Sequence, residues 1–301
     1  MKRKVEFVQN SISADERKRA VLLTVLAGSL WGTSFPAIKI GLQYMDAYTF
    51  VFLRFFLASL VMFAIMLFTK NFSFNFSKKR LVLSLGISNG IAYLLQYIGM
   101  ASASASESSL FVNLSVVWVA LLAPIVSKER IGFKKVAGVT ISLLGVVFMT
   151  TNLDFASLAW GDFFGDLLVI AAGLLWAIFI VFNKPLIEES RNMIQSMTWL
   201  LFFTMLPLIP VAPFLIGKSV SLPWDAWVAI LYTAMFCWII PYFLWLKGLK
   251  KISPVTSAVV LLTEILVAVA ISTVILGEII TIVSGFGAIL IITAILLVSI
   301  G

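Results

Sequence analysis

Long uninterrupted apolar runs dominate this chain. Ten can be delimited, at 22–40, 47–69, 81–100, 106–126, 135–151, 165–183, 194–216, 226–246, 254–276 and 280–300. None shows the strict apolar–polar alternation of a membrane-barrel strand. Most approach the ~20 apolar residues that a helix needs to cross a bilayer. Hydrocarbon offers no water to backbone groups, so runs of this length are predicted as transmembrane helices. The 135–151 run is short, but Lys134 and Lys135 at its start can snorkel to the interface. The first run is read as an uncleaved helix, because it is long, lacks a small-residue cleavage site and is followed by nine similar runs.

The basic residues between the runs predict the orientation. Six stand in the tail before the first run, four between the second and third, four between the fourth and fifth, two between the sixth and seventh, and three between the eighth and ninth. The opposite side has only Lys39 and Lys218, and Arg54 lies inside the second run. Positive loops stay in the cytoplasm, which places both termini there and the protein in the cell membrane.

The chain also repeats itself. Ala27-Gly28-x-Leu30-Trp31, with Lys39 after it, returns as Ala172-Gly173-x-Leu175-Trp176 with Lys184, an offset of 145 residues. At an offset of 149, Tyr93 falls on Tyr242, Gly99 on Gly248, Ser108 on Ser257, Glu129 on Glu278, Ile131 on Ile280 and Gly138 on Gly287. The expected organisation is a tail at 1–20, one five-helix repeat at 21–152 and a second at 160–301. Five is odd, so the second repeat enters the membrane from the opposite side. The expected fold is all-α and integral to the membrane: ten transmembrane helices as two inverted repeats. Many secondary transporters are built this way, with solute handled between the halves.

Composition narrows the function classes. Of 301 residues, 61% are hydrophobic and 12% charged, with a mean hydropathy of +1.08. The net charge of +8 resides in the clusters that orient the helices, so no nucleic-acid partner is expected. The single cysteine, Cys237, permits no internal disulfide. The absence of histidine removes the commonest metal ligand and general base, and with it the His-Glu-x-x-His and Ser-His motifs, so neither an enzyme nor a metal or other cofactor is expected. Gly217-Lys218-Ser219 is not a P-loop, since Ala212 stands where its first glycine belongs.

Several stretches resemble the drug/metabolite transporter superfamily in its ten-helix EamA-type branch. They are Trp31-Gly32 followed by Pro36, Thr49 to Ala58 around Arg54, Lys128-Glu129-Arg130-Ile131 with Gly138 and Gly145 beyond it, Gly165-Asp166-Leu167-Leu168, and Leu276-Gly277-Glu278. The resemblance covers about residues 20–300. It implies transport of small metabolites, often amino acids or related compounds, by alternating access, and export is the expected direction. Family members often carry a proline after the apolar start of spans four and nine. Here Ser115-Val116 and Glu264-Ile265 stand in those places, so no proline-driven kink is expected there.

Polar and aromatic residues inside the runs are the candidate site. Glu264 lies near the middle of its run, where a carboxylate costs roughly 2.5–3.5 kcal/mol on insertion scales. It is the candidate for proton coupling or for binding a solute amine. A structural, hydrogen-bonded carboxyl is the alternative. Asn89, Tyr93 and Gln96 share one helical face, and the repeat sets Trp238 and Tyr242 opposite the first two. These five, with Trp31, Trp176 and Asn113, are candidates to line a central cavity. Interhelical bonding and an aromatic belt are the alternatives, and for Trp31 and Trp176 packing against lipid or core. Pro36 and Pro241 are hinge candidates, Gly28 and Gly32 a close-packing face, and Arg54 a structural partner rather than a solute ligand. The expected partners are a small-molecule solute, protons and the lipid bilayer, for a monomer or homodimer. A channel or scaffold is the competing class, although neither a filter loop nor a charged ring is visible.

Overall fold

The computed structural model describes residues 13–70, 72, 78–100, 110–155, 163–190, 192–211, 222–276 and 280–300. Among them there is no strand. In chain order the helices are α1 (Ala14–Gly32), α2 (Ser34–Gly41), α3 (Ala47–Phe68), α4 (Lys79–Met100), α5 (Ser115–Val126), α6 (Phe133–Thr151), α7 (Phe163–Glu189), α8 (Met193–Met205), α9 (Trp224–Ala234), α10 (Ile240–Leu249), α11 (Pro254–Leu261), α12 (Thr263–Leu276) and α13 (Ile282–Ile300). Each apolar run of the sequence is helical where it is described. Among the described residues, eight helical stretches are long and apolar enough to cross a membrane, and a shorter apolar one covers Leu110–Val126. Large apolar side chains such as Ile125, Phe133 and Ile282 point outwards, more than 70% exposed. Lipid rather than water suits such a surface.

The helices start on local signals. Ser13 and Glu16 form a capping box for α1, with bonds of 3.1 and 3.2 Å. The carboxylate of Asp46 accepts from Thr49 N at the start of α3, and the Ser253 hydroxyl from Thr256 N at the start of α11.

Four interruptions shape the bundle. Helices α1 and α2 part at Thr33, three residues before Pro36. A proline lacks the N–H that would bond four residues back, to Gly32, and its ring crowds that carbonyl. A π-helical turn at Met235–Ile239 joins α9 to α10 immediately before Pro241, which lies in the first turn of α10. The other two breaks fall where there is no proline, at places where nothing in the sequence predicts a break. At Leu114, bonds run from Leu114 N to Phe111 O and from Val117 N to Leu114 O. At Leu262 they run from Leu262 N to Val259 O and from Ile265 N to Leu262 O. Both are the same tightened i→i+3 turn, at positions 148 apart. Each break is marked by backbone bonding rather than by a proline.

The close contacts come in matched pairs. A Cβ placed on Gly28 would lie 3.1 Å from Leu261 O, and one on Gly173 would lie 3.1 Å from Val112 O and 3.2 Å from Phe111 O. Each glycine thus sits on carbonyls beside one of the proline-free breaks. Gly99 abuts Gly165 and Val169, while Gly248 abuts Ala20 and Thr24. Gly138 meets Val298 and Ala294 O, while Gly287 meets Met149 and Gly145 O. The sequence offsets of 145 and 149 convert each contact into its mate. Small residues at these points let backbones approach where lipid provides no hydrophobic drive between helices.

Candidate functional site

Five of the expected site residues converge. Tyr93 on α4 meets Phe55 edge-on at a ring separation of 4.8 Å and Trp176 on α7 at 5.5 Å. Phe55 meets Trp238 at 5.6 Å, and Trp238 meets Tyr242 at 4.6 Å. Tyr242 adjoins Trp245, whose ring lies 6.1 Å from that of Trp31. Phe179 closes the group, stacked on Trp245 at 6.0 Å. The cluster thus joins α1, α3, α4, α7 and the π turn with α10. Tilted and edge-on pairs of this kind add ~0.5–1.5 kcal/mol each beyond their buried area.

Hydrogen bonds hold this cluster at its rim. Tyr242 Oη donates to Asn183 Oδ1 at 2.9 Å, and Asn183 Nδ2 donates to Phe179 O at 2.7 Å. Trp245 Nε1 donates to Ser257 Oγ at 2.8 Å. Asn183, Phe179 and Trp245 were not singled out from sequence. A lone asparagine directly after the apolar run Ile178–Phe182 was the available signal.

The other expected residues lie differently. Asn89 Nδ2 donates to Thr204 Oγ1 at 3.2 Å, both buried, and so ties α4 to α8 outside the aromatic group. Gln96 is half-buried, three residues past Tyr93 on α4. Asn113 is half-buried directly before the break at Leu114. The side chain of Pro36 and the stretches around Ser108, Lys218 and Glu278 lie outside the described residues.

Two opposite charges reach this region. Arg54 on α3 is only 4% exposed. Its guanidinium carbon lies 5.1 Å from the Phe55 ring centre and 5.7 Å from that of Tyr93. Glu264 sits in the first turn of α12, just past the break at Leu262, where a helix N-terminus favours a carboxylate. The Arg54 charge acts on it.

The two ends of the bundle differ. Where α3 begins, a crevice of about 10 Å³ runs between Tyr48, Val51, Tyr93, Leu94, Tyr97 and Leu208. That is room for about one water molecule. The opposite end is bound by polar links. Lys184 Nζ donates to the carbonyls of Leu249, Lys250 and Ile252 at 2.8, 3.1 and 3.1 Å. Buried Glu129 pairs with Lys135 at 2.8 Å and accepts from Val255 N at 3.4 Å. Lys251 meets Glu16 at 2.9 Å, and Lys78 meets Glu189 at 2.8 Å.

An all-helical bundle with a lipid-compatible surface and a buried aromatic and charged centre defines a multi-pass membrane protein. The chain belongs to the EamA-like transporter family, whose sequence pattern it matches at residues 18–151 and again at 163–300. It is 28% identical over 303 residues to an uncharacterized transporter of Archaeoglobus fulgidus, covering 98% of this chain and 91% of that one. It is also 28% identical over 289 residues to a probable amino-acid metabolite efflux pump of Salmonella typhimurium, covering 89% and 91% of the two chains. A crystal structure shares the fold at a TM-score of 0.76 and 17% identity, over 93% of this chain and 98% of that one. The protein is therefore a membrane transporter.

Proposed function

We propose that the chain is a secondary transporter in which two inverted five-helix repeats, 21–152 and 160–301, exchange inward-open and outward-open states. The solute is a small metabolite, an amino acid or related compound, and the direction is export. The observation that carries this reading is the matched pair of contacts at the helix breaks. Gly28 on α1 rests on the carbonyl before the Leu262 break, and Gly173 on α7 rests on those before the Leu114 break. Two halves that clasp each other through equivalent contacts have two equivalent ways to rock, which is what alternating access requires. The two successive family matches and the name of the Salmonella relative support the reading.

The solute lies among Trp31, Tyr93, Trp176, Trp238 and Tyr242, and Glu264 takes up and releases the coupling proton. The breaks near Pro36 and Pro241 serve as hinges. Both termini are cytoplasmic, so the polar links around Lys184 and Glu129 form the inner gate and the Tyr48–Tyr93 crevice faces outward.

The test is counterflow in proteoliposomes, screened with labelled amino acids and related metabolites under an imposed pH gradient. Saturable exchange that responds to the gradient supports a coupled carrier. Linear flux without counterflow is the outcome for a channel and sinks the reading. With Glu264→Gln, exchange persists while its response to the gradient disappears, and an unchanged response removes the coupling role.

A further inference from the structure

Among the described residues Arg54 forms no ion pair, its interaction with Glu264 falling short of one. It is buried, its Nε bonds to nothing, and among the described residues no carboxylate pairs with it. A guanidinium stays charged and offers five N–H donors in a planar fork. Withdrawing such a group from water without acceptors is strongly unfavourable, and arginine inside a membrane bundle faces a partner or a pathway. The rings of Phe55 and Tyr93 attract the cation through their faces but supply no acceptor for its N–H groups. Tyr93 is also a wall of the crevice that starts at Tyr48. A solute arriving along that crevice meets the aromatic cluster and the Arg54 guanidinium together.

We infer that Arg54 binds the carboxylate of the transported solute, with the solute's apolar body lying against Tyr93, Trp176 and Trp238. The inference rests on the transporter reading above and gives it a solute class: carboxylates carrying an aromatic or branched apolar group. A carboxylate fits the guanidinium fork with two parallel hydrogen bonds, the strongest geometry such a donor can make.

The experiment uses the full-length protein in lipid nanodiscs and three probes sharing one ring: phenylalanine, phenylalaninamide and 2-phenylethylamine. Affinities are read from tryptophan fluorescence. The wild type binds the acid at least about tenfold more tightly than the amide or the amine, the scale of hydrogen bonds to a charged group. Arg54→Gln brings the ratio near one, and Arg54→Lys keeps part of it. If R54Q folds poorly, the wild-type ratio and R54K still decide. A wild type that binds the amide as well as the acid, or binds none of the three, overturns carboxylate recognition. So does an R54Q protein that keeps the preference, since a structural arginine lowers the yield of folded protein and leaves the ratio alone. In each of these cases counterflow of some other solute leaves the transporter reading standing. Absence of counterflow for every solute in the screen defeats that reading and this one with it.

Discussion

Tyr242 donates its phenolic hydrogen to Asn183 across 2.9 Å, with both side chains withdrawn from the surface. The bond ties α10 to α7 beneath the aromatic cluster. Interhelical hydrogen bonds inside membrane proteins average ~0.6 kcal/mol and reach ~1.7. Tyr242→Phe keeps the ring contacts and is expected to destabilise by that amount. Tyr242→Ala also removes the ring and is expected to cost ~3–5 kcal/mol. Unfolding of the two variants in one detergent checks this. Equal losses would show that the hydroxyl, not the ring, holds the cluster.

Two glycines one pair of residues apart on α13 should respond oppositely. A Cβ on Gly285 meets nothing within 4 Å, while one on Gly287 would lie 2.7 Å from Gly145 O and 2.9 Å from Met149 N. Backbone atoms cannot step aside as a side chain can. Gly287→Ala is expected to destabilise by ~1–3 kcal/mol, the range for overpacking. Gly285→Ala is neutral or slightly stabilising, through helix propensity. Thermal unfolding of the pair decides it.

Glu129 is the buried anchor at the end of the bundle opposite the crevice. Its side chain is 1% exposed, paired with Lys135 and aimed at the start of α11. Removing one member of a buried pair strands the other, at ~3–5 kcal/mol. Lys135→Met strands the carboxylate and is expected to damage folding more than Glu129→Gln, which retains an acceptor for Val255 N. Yields of folded, monodisperse protein rank the two.

Lys184 crosses from α7 to the end of α10 and satisfies three carbonyls there. A cation at a helix C-terminus contributes up to ~2 kcal/mol when partly buried. Lys184→Met is expected to loosen Leu249–Ile252 first. Hydrogen exchange should rise in that segment before it rises in α7.

The Lys251–Glu16 link carries a pH dependence of known sign. The hydrogen bond from Lys251 holds the Glu16 carboxyl below its usual value, helped by the Ser13 backbone bond and the Lys251 charge. A carboxyl lowered in the folded state contributes stability above its unfolded value, and the contribution is lost as pH falls through the folded one. The pair is exposed, so the contribution is small and screened by salt. Glu16→Gln should leave unfolding at pH 7 and physiological salt unchanged. A sizeable drop would mean that the start of α1 is held by more than this exposed pair.

Much of this arrangement was legible in the sequence. Runs of apolar residues have one solution in lipid, so the helices fell where the runs did. The Gly28–Trp31 and Gly173–Trp176 repeats marked residues that occupy corresponding places against α11 and the segment before α5. The breaks at Leu114 and Leu262 were not legible, because no proline marks them and the i→i+3 turns are a matter of backbone bonding. Asn89 shared a helical face with Tyr93, but its partner, Thr204, belongs to a helix whose position no local pattern reveals. Arg54, one charge part-way into an apolar run, read as a structural residue. Its missing acceptor becomes visible only when the surrounding helices are in place.

The glycines at the breaks also determine what kind of movement the bundle can make. Interlocked side chains act as teeth: one helix cannot pass another until rotamers change. At Gly28 and Gly173 the glycine meets mainly backbone, beside turns where i→i+3 bonds replace the regular ladder. The contact behaves as a plain bearing. Sliding or pivoting there needs no side chain to be unseated, so the stiffness of the protein resides in the aromatic cluster and the polar links at its far end, and the joints between its helices are left to turn.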